Sequence, residues 1–282
     1  MVRTVGRLLL WMVIVFSPFA LAAGMSRSFI YYPTKLSDAD LTRLARAPKW
    51  QRWSVEVEPG LITQGLIHRP SHPKAPWLLF FGGNAMDLEA SQSVLDLVGR
   101  DRDWGLAVLA YRGYDGSAGK PSETALMHDA QVAATTLLQQ EGVLPDRLIL
   151  MGQSLGTGVA AQLSVTLAEQ NRAVAGIILV SAYTSLSRLA DELMPLPLMG
   201  AFLMDTFHTD TLTPHLGSTL LIHGSNDDLV RIAHSQDLAA ALGSRAKLVT
   251  IKGKGHNDIW LDPDAVTAAR TYISDQTHPH PQ

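Results

Sequence analysis

The sequence predicts an α/β fold built on a mostly parallel, eight-stranded sheet with helices on both faces. Three observations predict it. Apolar runs recur at 77 to 82, 105 to 111, 147 to 151, 174 to 180, 219 to 223 and 247 to 251, as expected of strands in a mostly parallel sheet. Amphipathic stretches rich in helix formers separate these runs, which is the alternation that brings a chain back to start the next parallel strand. Ahead of them, Ser54-Val55-Glu56-Val57 and Ile62-Thr63-Gln64-Gly65-Leu66-Ile67 flank Pro59-Gly60 and read as an antiparallel opening pair.

The chain begins with Arg3 and Arg7 before an apolar run from Leu8 to Ala23, whose end carries the small-residue cleavage pattern Ala20-Leu21-Ala22. That run is short for a membrane span, and Pro18 disturbs its end. Residues 1 to 24 therefore read as a signal peptide or an N-terminal membrane anchor, with a buried helix as the alternative. The positive flank should stay in the cytoplasm, which puts the rest of the chain on the periplasmic or extracytoplasmic side. Residues 25 to 275 fit one domain, a length that α/β folds reach without dividing. Ser122 is placed to N-cap a helix whose first residue, Glu123, suits the positive end of the helix dipole. Between the sixth and seventh strands, residues 186 to 216 make room for a small cap, and its segment 193 to 204 is free of charge and carries Met194, Met199 and Met204. Methionine adapts to varied apolar shapes, so this segment reads as an acyl pocket, a membrane contact or an ordinary packed cap helix. The Pro-rich tail at 276 to 282, with His278 and His280, reads as disordered.

The chemistry is concentrated where strands end. Leu148-Ile149-Leu150-Met151 runs into Gly152-Gln153-Ser154-Leu155-Gly156 and then into helix formers, the strand-turn-helix context of a nucleophile elbow. A serine hydroxyl is a poor nucleophile until an imidazole removes its proton, and the imidazole needs a carboxylate to fix its tautomer. Asp227 follows Thr219-Leu220-Leu221-Ile222-His223-Gly224, and His256 lies in the loop after Lys247-Leu248-Val249-Thr250-Ile251, so Ser154, Asp227 and His256 occur in the required chain order. Asp228 competes with Asp227, which the spacing from His223-Gly224 favours; His223 itself reads as packing at its strand end. Trp77-Leu78-Leu79-Phe80-Phe81 empties into Gly82-Gly83-Asn84-Ala85, where the backbone can approach a ligand. The N–H groups of Asn84 and Leu155 are the candidate oxyanion donors; the alternative is a glycine pair that only turns the chain.

These segments resemble the α/β-hydrolase superfamily and, within it, the Bem-type (bud-emergence-suppressor-like) serine hydrolases, which are related to α/β-hydrolase-domain protein depalmitoylases. The resemblance is carried by Phe29-Ile30-Tyr31-Tyr32-Pro33, Gly83-Asn84-Ala85, Tyr111-Arg112-Gly113-Tyr114-Asp115-Gly116-Ser117-Ala118-Gly119-Lys120-Pro121-Ser122-Glu123, Ser181-Ala182-Tyr183-Thr184-Ser185-Leu186, His223-Gly224 and Gly255-His256-Asn257-Asp258. It implies the α/β-hydrolase fold and a carboxylesterase- or thioesterase-like activity. Two positions depart from the family pattern. Gly82 stands where many relatives have a histidine that braces the oxyanion loop, and Asp115 stands where another glycine is usual; Asp occupies turn conformations readily, so no change of fold is expected there.

Composition narrows the partners. A net charge of −3 gives no basic footprint for nucleic acid, and the absence of cysteine excludes disulfides and thiolate metal sites. No cofactor or metal is implied. The expected partner is a small-molecule or lipid-like acyl ester, with membrane association through the N-terminus. The alternatives are a peptidase or amidase using the same residues, or a catalytically idle, membrane-tethered interaction protein.

Overall fold

The computed structural model describes residues 27–28, 30–194 and 199–277, with Met199 described by its backbone alone. The predicted signal or anchor segment and the histidines of the tail lie outside these residues.

Among the described residues one eight-stranded sheet has the order β1-β2-β4-β3-β5-β6-β7-β8. Strand β1 (Trp50–Glu58) and β2 (Leu61–His68) form the antiparallel opening pair around Pro59-Gly60, both longer than the sequence runs suggest. β2 also pairs antiparallel with β4 (Gly105–Leu109); every later pairing is parallel, through β3 (Trp77–Phe81), β5 (Leu148–Gln153), β6 (Gly176–Val180), β7 (Thr219–Gly224) and β8 (Ala246–Ile251). β3 to β7 are buried along their whole length, which explains their continuous apolar runs. β1 alternates buried and exposed residues because one of its faces meets water. β8, at the other edge, buries only Ile251 fully.

Helix α1 (Asp38–Leu44) precedes the sheet. Helices α2 (Leu88–Gly99) and α8 (Pro263–Thr277) pack together on one face; α3 (Glu123–Gln140) and α4 (Leu155–Glu169) pack together on the other. Ser122 caps α3 by accepting the Ala125 N–H at 3.1 Å, as its position predicts. Asp115 adopts φ +45°, and its Oδ2 accepts the Leu88 N–H at 2.8 Å, so this acid both makes the turn and satisfies an orphan donor at the start of α2.

The cap lies between β6 and β7. It consists of α5 (Leu186–Leu193), a single 3₁₀ turn (Met199–Phe202) and α6 (Thr209–Leu212), followed after β7 by α7 (Ala233–Leu242). Glu123 does more than face a helix dipole. Its carboxylate accepts the N–H groups of Thr206 and Phe207 at 2.7 and 3.1 Å and Gln162 Nε2 at 2.7 Å, which pins the chain returning from the cap to α3 and α4. Among the described residues no helix is long and apolar enough to cross a membrane.

Candidate active site

The sheet order reverses between β3 and β5, because β4 lies beyond β3 while β6 lies beyond β5. Ligands of open α/β sheets collect outside the strand ends at such a point. Ser154 follows β5 there, at φ +50° and ψ −118°, a strained conformation that lifts its side chain off the strand-to-helix turn. The glycines on either side are steric requirements. A Cβ on Gly152 would stand 2.2 Å from the Gly156 carbonyl oxygen, and one on Gly156 would stand 2.0 Å from that of Phe81. The elbow is held by the Ser154 N–H donating to Val180 at 2.9 Å, and by the Thr157 N–H and hydroxyl donating to the Ser154 carbonyl at 2.9 and 2.7 Å.

The predicted partners converge on this serine. His256 Nε2 lies 2.9 Å from Ser154 Oγ, and its Nδ1 lies 2.8 Å from Asp227 Oδ2. Ionised carboxylate oxygens only accept, so Nδ1 carries the proton and Nε2 is left to accept from the serine hydroxyl. Asp227 is buried, and its Oδ1 accepts the N–H groups of Leu229 and Val230 at 3.1 and 2.8 Å. Burial pushes its carboxyl pKa up, but hydrogen bonds from His223 and His256 and from the Val230 N–H outweigh burial and hold it well below the usual carboxylate range. Asp228 is exposed, which separates the two neighbouring acids.

His223 does more than fill a strand end. Fully buried, it has Nε2 2.7 Å from the Val230 carbonyl and 3.3 Å from Asp227 Oδ2, and Nδ1 2.7 Å from Ser235 Oγ. The carbonyl fixes the proton on Nε2, so one N–H faces both the Val230 oxygen and the carboxylate. Two further links were not legible in advance. Trp260 Nε1 donates to Gln153 Oε1 at 2.8 Å, tying the loop of His256 to the elbow, and Asp258 Oδ1 accepts the Gly255 N–H at 2.6 Å, closing that loop.

The glycine pair after β3 lies beside the nucleophile: a Cβ on Gly83 would stand 3.4 Å from Ser154 Cβ. Leu155 opens α4, so its N–H has no partner within the helix. Two tyrosines brace the loop that begins at Gly82. The Tyr111 hydroxyl donates to the Gly82 carbonyl at 2.7 Å, and the Tyr114 hydroxyl donates to Asn84 Oδ1 at 2.9 Å. Both tyrosines belong to the long signature segment, which gives that motif a physical role beside the site.

A cavity of about 430 Å³ opens over Ser154. Asn84 and Leu155 line it together with Ile30, Tyr32, Tyr183 and a wall from α5 that includes Leu186, Leu189 and Leu193. Of the two candidate methionines whose side chains are described, Met194 lines this cavity. Met204 stands outside it, 54% exposed, because the chain turns there and Leu203 faces inward instead; the Met199 side chain lies outside the described residues. Among the described residues, apolar side chains of α5 form most of the wall on this side. Among the described residues no group of three or more His, Asp or Glu side chains is spaced to hold a metal ion.

A family model described as "Serine hydrolase" matches residues 129–260. An uncharacterized protein of Mycobacterium tuberculosis is 33% identical over 239 residues, 83% of this chain and 82% of its own. The Xenopus laevis α/β-hydrolase domain-containing protein 17C is 30% identical over 224 residues, 79% of this chain and 68% of its own. The chain belongs to the α/β-hydrolase-domain family. This α/β-hydrolase is a serine hydrolase, and its eight-stranded fold recurs in solved structures of low identity. An α/β-hydrolase of Vibrio vulnificus superposes with a TM-score of 0.69 at 19% identity, covering 87% of this chain and 89% of that one. The carboxylesterase EstE1 from a metagenomic library gives 0.65 at 18%, covering 93% and 97%. The matched segment of the α/β-hydrolase holds Ser154, Asp227 and His256 but begins after Asn84, so the glycine-pair loop is contributed by the part of the fold that precedes it.

Proposed function

We propose that this serine hydrolase cleaves a carboxylic ester or thioester of an apolar acyl group through an acyl-enzyme intermediate on Ser154. His256 Nε2 takes the Ser154 proton as Oγ attacks the carbonyl carbon. The N–H groups of Asn84 and Leu155 receive the oxyanion, and collapse expels an alcohol or thiol that takes the proton back from His256. Water then repeats the sequence on the acyl-enzyme, with His256 again acting first as base and then as acid. Asp227 orients His256 and stabilises its charged form. The observation that carries this reading is a relay of 2.9 and 2.8 Å opening onto a cavity that no Asp, Glu, Lys, Arg or His side chain lines among the described residues. An amine-bearing substrate would call for a carboxylate in that wall. Ser154→Ala should abolish labelling by a fluorophosphonate probe and lower ester turnover by several orders of magnitude with the melting temperature retained. Undiminished labelling of the variant overturns the assignment. For location, the arginines before the apolar run support an extracytoplasmic domain, and a reporter fused after Gln282 that reads as cytoplasmic overturns it.

A further inference from the structure

The Asn84 side chain behaves as a stray peptide group. Its Oδ1 accepts the Tyr32 N–H at 2.9 Å and its Nδ2 donates to the Ile30 carbonyl at 2.5 Å, the pair of bonds a strand edge offers to a neighbouring chain. The same Oδ1 accepts the Tyr114 hydroxyl at 2.9 Å and the N–H of Ala85 at 3.1 Å. Ala85 sits at φ +57°, a conformation that costs a residue with a Cβ and persists only where its surroundings enforce it. One amide therefore ties the turn after β3 to a segment more than fifty positions earlier in the chain.

That segment has a second anchorage. Arg27 Nε and the Tyr31 hydroxyl both donate to Asp205 Oδ2 at 3.0 Å, and this carboxylate is buried in the chain returning from the cap. Thr206 and Phe207, next along, are held by Glu123. Ile30 and Tyr32 in turn line the cavity over Ser154. The stretch just past the N-terminal apolar run is thus fixed at one end to the cap and at the other to the loop that carries the Asn84 N–H.

We propose that the segment bearing Arg27, Ile30, Tyr31 and Tyr32 is a positioning element of the reaction, acting through the Asn84 side chain to hold the Asn84 N–H on the developing oxyanion. The proposal rests on the assignment of Ser154 as nucleophile. An oxyanion donor accelerates the reaction only when it is already aimed before charge develops, and loss of one such donor lowers kcat by about 10²- to 10³-fold. Asn84→Ala keeps the backbone N–H but removes every bond the amide makes, so it should forfeit part of that factor.

The test uses the full chain with three variants: Asn84→Ala, Tyr114→Phe and Arg27→Ala. Arg27 is half exposed and outside the cavity, so its loss leaves the loop sequence unchanged, and the melting temperature of the variant is measured alongside because Asp205 loses a partner. The expected result is a fall in kcat for all three, largest for Asn84→Ala and of order 10-fold or more there. KM should stay within a factor of a few, and the rate of fluorophosphonate labelling should fall in parallel. Amide hydrogen exchange across residues 82 to 86 should accelerate in Arg27→Ala, a readout that needs no turnover. If the wild type labels at Ser154 while Arg27→Ala matches it in kcat and in exchange, the segment has no positioning role and the proposal falls alone. If the wild type does not label at Ser154, the nucleophile assignment falls first and takes the proposal with it.

Discussion

Asp227 Oδ2 is shared by two imidazoles, His256 Nδ1 at 2.8 Å and His223 Nε2 at 3.3 Å. With Oδ1 receiving two backbone N–H groups, the carboxylate is surrounded by donors, and that is why a buried acid here stays ionised instead of taking up a proton. The arrangement separates the functions of the two neighbouring acids.

Asp227→Asn should lower kcat for an ester by about 10⁴-fold, because an amide at this position permits the wrong His256 tautomer. Asp228→Asn, on an exposed side chain, should leave kcat within a factor of two or three. Steady-state kinetics on the two purified variants decides, and the reverse ranking would move the orienting role to Asp228.

The same carboxylate makes stability depend on acid. Its pKa in the folded protein lies below the ordinary value of 3.8, so it stabilises the fold above that value and the contribution disappears as pH falls through 3.8 toward the folded pKa. Asn does not titrate. Any stability advantage of the wild type over Asp227→Asn, from urea unfolding, should therefore be constant near neutrality and shrink on acidification below about pH 4. A difference that grows on acidification would contradict the donor-rich environment of Asp227.

Acyl-chain preference should follow the α5 wall. Each methylene buried in the cavity strengthens binding by about 0.8 kcal/mol, roughly fourfold, until the space is full. kcat/KM on p-nitrophenyl esters should climb from acetyl to a medium-chain optimum and then drop. Leu189→Ser should flatten the climb while sparing the acetyl ester, and Met204→Ser, outside the cavity, should leave the profile unchanged. A wild type that prefers acetyl esters removes the acyl-pocket reading.

Gly156→Ala tests the steric account of the elbow. Its methyl would meet the Phe81 carbonyl, which belongs to a central strand paired on both sides and cannot move aside. The variant should lose about 3 kcal/mol or more by denaturant unfolding, at the upper end of overpacking effects. A variant of wild-type stability would show that the strand gives way.

Much of this was readable from residues alone, and the reason differs from case to case. Ser154 and Asp227 follow strands whose burial leaves a continuous apolar run, His256 follows the half-exposed last strand, and their chain order is fixed by the fold, so sequence was enough to bring them together. His223 escaped because a histidine at the end of a buried strand has the same signature whether it packs or donates; only the loop from Ser225 to Val230, folding back beneath it, brings the carboxylate within reach. The Asn84 clamp and the Glu123 brace join segments with no common periodicity, and no local pattern announces a side-chain amide bonded to main chain fifty residues away. Charge-free composition drew attention to Met194 and Met204 alike, but facing is decided by where α5 ends: Met194 lines the cavity, Met204 does not, and most of the described α5 wall is leucine.

The sheet order has a kinetic corollary. Trp77 of β3 lies opposite Gly105 of β4 and also opposite Leu148 of β5, so the turn bearing Asn84 meets the elbow only after the chain has passed through β4 and α3 and come back. Closing so long an excursion spends chain entropy before strand pairing returns any, and contacts of this kind form late in folding. A refolding molecule will therefore acquire its helices and its opening hairpin well before it can hydrolyse anything. Recovery of turnover, rather than recovery of circular dichroism, marks the moment at which the two halves of the sheet have joined.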